Sequence, residues 1–330
     1  MRLLTLVLLS LTLAAAAGAT RSARAPVGVI AFVREQPTRA DINAGVDLWI
    51  VRTDGRGTRR FIGGSGWEES PAWSPDGSRI AFEKAFYEAG EHGDTLRTID
   101  VWTARADGRG RRNVTHDGSA ASPAWSPDGG RLAFARGNGV FVVRRDGSGK
   151  RRIARRADPT VPAWSPDGRR IAFAVPGELW IARADGTGER LLARGASSDT
   201  HAVWSPDGRS IAYSATGVFV VSSAGGRPRL LSRHDEEVLW SPDGRRIALV
   251  RSGTPREAGI FLAAPDGRKR RRLTRGLDTE PAWSPDGRRI AFRRGLLVGD
   301  IYVLNVDGSS LRNLTMTPKL DERQPAWRPR

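Results

Sequence analysis

Imidazole is the usual metal ligand and acid–base group near neutral pH, so the four histidines, His92, His116, His201 and His234, are the first candidates for chemistry in this chain. All four fall in or beside segments that read as loops. They are too scattered along the chain to converge on one ion, and solvated loop histidines are expected rather than a metal site. A serine nucleophile finds no support either. There is no Gly-x-Ser-x-Gly, and Ser74, Ser126, Ser165, Ser205, Ser241 and Ser284 each open a Ser-Pro-Asp-Gly turn, where a hydroxyl satisfies backbone N–H groups. Gly147-Ser148-Gly149-Lys150 lacks the spacing of a phosphate loop and belongs to a hairpin turn. Cysteine is absent, which removes thiolate chemistry, disulfides and lipid attachment through cysteine. No catalytic residue, metal or cofactor is expected, and binding is a better reading than catalysis.

Residues suited to binding gather in two places. Two long variable segments, Arg34–Val46 and Ala85–Thr98, read as loops, and the second mixes Phe86, Tyr87, Glu88, Glu91, His92, Asp94 and Arg97 as a binding lip would. Acids also recur at regular junctions: Glu68 and Glu69, Asp117, Asp158, Asp199, Asp235 to Glu237, Asp278 and Glu280, and Asp321 and Glu322. Such a ring of carboxylates would attract a cation or a basic peptide segment, unless each acid caps a turn or pairs with a nearby arginine.

The elements that must position these residues are set by a repeat. Pro71-Ala72-Trp73-Ser74-Pro75-Asp76-Gly77 returns in close copies whose tryptophans are Trp125, Trp164, Trp204, Trp240 and Trp283, and in a truncated copy at Trp327. That period is close to one propeller blade. Within a unit, a short apolar run leads through Ser-Pro-Asp-Gly to a second run such as Arg79–Phe82; Ile99–Ala104, the turn Asp107-Gly108 and Arg111–Thr115 follow. This reads as four antiparallel strands joined by tight turns at one end and variable loops at the other. The fold class is therefore all-β, a seven-bladed propeller. Val27–Phe32 matches a second strand with no first, and Gln324–Trp327 a first strand with no second, so the termini are expected to share one blade and close the ring without open edges. Ile-Ala-Phe and its variants put large residues toward one neighbouring blade and alanine toward the other. The tryptophans should wedge between blades, a structural role.

The motif Pro-Ala-Trp-Ser-Pro-Asp-Gly-Arg-Arg-Ile-Ala-Phe, with Asp300–Gly308 and Leu311–Thr315 after it, resembles the propeller repeat of the TolB family. Similar repeats occur in tricorn-like and prolyl-oligopeptidase-type peptidases. The resemblance implies a propeller of the periplasm or cell envelope that binds partners at its loop face. TolB itself has six blades and an added N-terminal α/β domain, and the peptidases an α/β-hydrolase domain; this chain counts seven blades and leaves no room for either. Some sugar-acid lyases with similar propellers use histidines and a metal on that face. This makes a metal-assisted polysaccharide lyase or glycan-processing hydrolase the competing class.

Met1 to Ala19, with one cation, an apolar core and Ala17-Gly18-Ala19, reads as a secretory signal; 20–26 is a short linker, and 27–330 one propeller domain. Lys and Arg number 53 against 36 acids, a net charge of +17, with the cations concentrated near the outermost strands at Arg111-Arg112, Lys150–Arg152 and Lys269–Arg272. Charge there protects exposed edges; it would also let the rim adhere to lipid headgroups or anionic envelope polymers. Without stacking aromatics along a groove, nucleic acid is not expected. The expected partner is a protein or peptide, and the expected state a monomer.

Overall fold

A computed structural model describes residues 27–35, 45–88, 95–156, 158–197 and 200–329. They form seven four-stranded antiparallel sheets and no helix. Blade 1 is the composite one: its strands run Asp321–Trp327, Val29–Glu35, Val46–Arg52 and Arg59–Ile62, with Ile30 opposite Trp327 and Ala31 opposite Ala326. Blades 2 to 7 then follow in chain order, with first strands Trp67–Trp73, Ala121–Trp125, Ala163–Trp164, Val203–Trp204, Glu237–Trp240 and Asp278–Trp283. The termini therefore meet in one sheet, and blade 1 has its four strands like the others.

Each seam between blades repeats one packing scheme. Between blades 3 and 4, Ala124, Ala133 and Val142 meet Trp164, Ile171 and Phe173; between blades 4 and 5, Ala172 and Ala174 meet Trp204, Ile211 and Tyr213. Large residues of one blade fill the space left by alanines of the one before. The tryptophans are buried, and the indole N–H of Trp125, Trp164, Trp204 and Trp327 donates to the carbonyl of Ala72, Ala124, Ala163 and Ala282 in the preceding blade. Taking each side chain out of water is worth roughly 4–6 kcal/mol, an upper bound before ordering costs.

An arginine completes most seams. Arg131 and Arg170 lie 4.8 Å over the rings of Trp164 and Trp204, Arg289 lies 5.1 Å over Trp327, and Arg246 5.6 Å over Trp283. The same guanidiniums reach the next turn, with Arg131 donating to Gly168 O and Arg246 to Gly287 O. Blade 1 has Val29 at this position. There Arg328, one residue past the last tryptophan, stands in: it lies 5.3 Å over Trp73 and donates to Gly77 O at 2.8 Å. The arginines of the fourth strands reach across seams too, Arg151 to Ala184 O, Arg190 to Ser223 O and Arg312 to Asp54 O. They staple neighbouring blades as well as charging the rim.

One expectation needs correcting. Ala85–Thr98 reads as a loop, yet Arg79–Glu88 and Thr95–Arg105 are continuous strands paired as far as Glu88 and Thr95, with a bulge at Phe86 and Tyr87. The run Thr95-Leu96-Arg97-Thr98-Ile99 is rich in β-branched residues and favours extended backbone, so an insertion there lengthens the hairpin. Among the described residues its strands are the longest.

Candidate functional site

Antiparallel blades put the Ser-Pro-Asp-Gly and Asp-Gly turns on one face of the ring. The junctions and the second-to-third-strand connections lie on the other. At this loop face the first strands do not run straight. Four turn to positive φ at the residue before Pro-Ala-Trp: Ser70 (53°), Ser122 (58°), Glu280 (53°) and Gln324 (56°). Each bend leaves a backbone N–H without a ladder partner, and a neighbouring side chain takes it. Ser70 N donates to Gln324 Oε1 at 2.8 Å, Gln324 N to Glu280 Oε2 at 2.5 Å, and Ser122 N to Glu83 Oε1 at 2.7 Å. The Glu280 N–H is taken by Glu237 in the same way. These contacts pass from blade to blade, Glu237 to Glu280 to Gln324 to Ser70, as a collar on the inner strands.

The collar carboxyls are desolvated. Burial, reinforced by the charges of Glu280 and Glu236, pushes Glu237 up to about 8. Burial likewise pushes Glu83 up to about 7 against the N–H of Ser122, with Glu69 adding to the rise. Glu280 is also raised, again mainly by desolvation. Glu237 is 7% exposed and, among the described residues, its Oε2 has no hydrogen-bond partner. Glu83 and Gln324 were not singled out from sequence. The signal for Gln324 is the polar residue directly before Pro-Ala-Trp, whose meaning appears only once the bend is known; Glu83, on the second strand of blade 2, carries no such signal.

Beside the collar, blades 7, 1 and 2 bring together an ion network. Arg323 reaches Glu35 at 3.1 Å, Asp321 at 3.3 Å and also Glu69. Arg293 pairs with Asp321 at 2.7 Å, and Arg34 Nε donates to Glu322 Oε1 at 2.7 Å. Against this network stands an aromatic pair from blade 2, Trp67 and Tyr87, with ring centroids 4.4 Å apart. Burial raises the Tyr87 phenol, and Glu69 and Glu83 raise it further. Of the residues expected at a site, Glu69, Tyr87 and Asp321 thus converge.

The other expected residues are dispersed. Glu68 is buried against Lys84 at 2.9 Å, and Asp117 pairs with Lys150 at 2.5 Å. Asp278 pairs with Arg294 at 2.6 Å, and Asp235 with Arg251 at 3.2 Å and with Arg270. The junction acids are therefore largely matched by cations of their own or a neighbouring blade. Asp158 bends at φ 48° and donates its N–H to Gly137 O. Phe86 lies under the ammonium of Lys84 at 5.5 Å, and Arg97 pairs with Glu88 across the hairpin. Glu91, His92 and Asp199 lie outside the described residues. Among the described residues no three His, Asp or Glu side chains gather as metal ligands, and His116, on blade 2, is exposed at φ 51°.

A family model described as the TolB beta propeller domain matches residues 29–177 and 85–239. The chain belongs to this TolB propeller family. A curated relative, the Tol-Pal system protein TolB 1 of Novosphingobium aromaticivorans, is 32% identical over 77 residues; the match spans 23% of this chain and only 16% of that protein. Among solved structures, TolB from Acinetobacter baumannii aligns with TM-score 0.62 at 20% identity over 92% of this chain and 67% of its own. An oligogalacturonate lyase in complex with manganese aligns with TM-score 0.60 at 15% identity, over 86% and 84%. A puromycin hydrolase mutant aligns with TM-score 0.62 at 18% identity, over 88% and 52%. At such identities the likeness is one of fold.

Proposed function

We propose that this TolB-type propeller is a protein- or peptide-binding scaffold of the periplasm or cell envelope, exported by a signal at Met1–Ala19 and working as a monomer. Its partner docks on the loop face, at the inner end of the long blade-2 hairpin. The observation that carries this reading is the juxtaposition of Trp67 and Tyr87, 4.4 Å apart, with the Arg323, Glu69, Glu35 and Asp321 network. An aromatic anchor beside a rigid set of charges is the composition of an interface hot spot: the rings supply area at low entropy cost, and the fixed charges supply orientation. The test is capture from solubilised cell envelope by the protein and by a Phe86→Ser/Tyr87→Ser variant. A specific partner retained by the first and lost by the folded variant supports the proposal; equal capture by both contradicts it.

A further inference from the structure

The opposite face carries a second feature. In each blade three backbone positions lie in register near the turns: the start of the second strand, the end of the third, and the fourth-strand residue two steps along. In blade 3 they are Arg131 opposite Arg144, with Arg151 opposite Val142; in blade 4 they are Arg170 opposite Arg183, with Arg190 opposite Ile181. Blade 5 has Ser210 opposite Ser222 at the first two, and blade 7 has Asn305 opposite Arg289. The first and third positions have structural duties, the stacking on tryptophan and the cross-seam bonds described above. The third-strand position has none that the fold requires, because serine and asparagine occupy it in other blades. Arg144 and Arg183, like Arg52 and Arg105 of blades 1 and 2, are nevertheless arginine, and exposed.

Both residues line one cleft. A hollow of about 310 Å³ is walled by Arg131, Val142, Arg144, Gly149 and Arg151, without a carboxylate. Across the seam it adjoins a second hollow of about 630 Å³, which shares Arg131 and adds Arg169, Arg170 and Arg183 with Asp167 and Asp185. Six arginines thus line the two hollows against two carboxylates, although the Arg170 guanidinium itself turns to Trp204 and Gly208 of blade 5, and both carboxylates already accept local hydrogen bonds. Asp167 accepts from Ser165 Oγ at 2.5 Å and Arg169 N at 3.0 Å, and Asp185 from Thr187 Oγ1 at 2.6 Å and Thr187 N at 2.9 Å. Each guanidinium carries five N–H donors in a planar fork. The protein takes one from Arg131, to Gly168 O at 3.3 Å, one from Arg151, to Ala184 O at 2.6 Å, one from Arg144, to Ser148 Oγ at 3.4 Å, and two from Arg170, to Ser223 Oγ and Gly208 O at 3.3 Å each, so most donors of the six are left for an acceptor.

We propose that the cleft between blades 3 and 4 binds a multivalent phosphate-type oxyanion, long enough to bridge the two hollows past Arg131. Tetrahedral oxyanions accept bidentate bonds from guanidinium forks, and a chain of them matches a line of arginines where a single phosphate would meet only one or two. The inference is independent of the loop-face reading.

The test is calorimetric titration of the purified protein with sodium tripolyphosphate at fixed, near-physiological salt. The cleft variant is Arg144→Ser/Arg183→Ser, which copies the serine of blade 5; the control is Arg245→Ser/Arg288→Ser, an equal loss of charge on the turns of blades 6 and 7. The cleft variant should bind at least about tenfold more weakly and the control less than about twofold, since only the cleft variant removes charged donors from the bound oxyanion. Equal weakening in both would reduce the effect to net charge and overturn the proposal, as would absence of tripolyphosphate binding. Anionic phospholipid vesicles form the second arm: binding to vesicles without binding to tripolyphosphate assigns the cleft to a membrane surface and overturns the proposal as well.

Discussion

The two faces of the ring use the same functional group in opposite ways. On the turn face Asp76, Asp128 and Asp207 are held below the usual carboxylate range chiefly by the hydroxyls of Ser74, Ser126 and Ser205; for Asp167, Asp243 and Asp286, burial works the other way but is outweighed by the same serine and backbone N–H contacts. On the loop face Glu83, Glu237 and Glu280 are raised by burial, and single backbone N–H bonds do not offset it. The turn acids stay ionised because several donors converge on one solvated carboxylate. The collar acids are shifted toward the protonated form because they are desolvated, with neighbouring carboxylates adding to the rise at Glu237 and Glu83. A repeat can thus standardise one face while the other is free to vary, and variation is what a recognition surface needs.

The largest expected effect strikes the collar. A carboxyl whose folded pKa lies above its unfolded one binds its proton more tightly in the folded state; its contribution is therefore full below the ordinary value of 4.5 and is lost as pH rises through about 8 for Glu237. Glu237→Gln keeps the acceptor for the Glu280 N–H and removes the titration. It should leave denaturant stability unchanged at acid pH and raise it above pH ~9 by an order of 4 kcal/mol. Equal stability of the two proteins at both pH values would mean that the collar is solvated.

A turn acid should behave in the reverse sense. Asp207→Ala removes the acceptor of the Arg209 N–H and the nearer acceptor of Ser205 Oγ, at 2.5 Å, leaving that hydroxyl only Ser210 O at 3.1 Å. The expected loss is about 1–2 kcal/mol at neutral pH. Because the folded pKa of this acid is depressed, its contribution is present above the unfolded value of 3.8 and lost as pH falls through the folded one. The difference between variant and parent should accordingly shrink in acid, as chemical unfolding curves at several pH values would show.

The smallest effect concerns the seam between blades 5 and 6. Ser210 stands where other blades have the stacking arginine, and the Trp240 indole N–H has no hydrogen-bond partner among the described residues. Ser210→Arg should place a cation over Trp240 within reach of the Gly244 turn and stabilise the protein by about 1 kcal/mol. An unchanged or lower melting temperature would show that the seam is closed in another way.

What was legible in the sequence followed the repeat. Trp-Ser-Pro-Asp-Gly specifies the first turn and the wedge residue together, so blade count, strand order and the shared blade of the two termini could all be read. Arg328 could not be seen as the substitute for Val29, because the two are distant in sequence and meet only when the ring closes. The collar was hidden for a similar reason. Its positions hold Ser70, Ser122, Glu237, Glu280 and Gln324, chemically unlike residues joined by backbone bends and cross-blade bonds. At the loop face, sequence reasoning named Glu69, Tyr87 and Asp321 but had no means of finding Arg323, the cation that gathers two of them. Glu68, Asp235 and Asp278, named with equal reason, are instead closed in ion pairs.

Capture from solubilised cell envelope separates the two faces most directly when parent protein, Phe86→Ser/Tyr87→Ser and Arg144→Ser/Arg183→Ser are compared at low and high salt. A protein partner held at both salt concentrations by the parent and the arginine variant, and lost by the aromatic variant, is the result expected of a loop-face scaffold. Capture that survives the aromatic substitutions but vanishes with salt or with the arginines would contradict it, and would make the turn face the working surface.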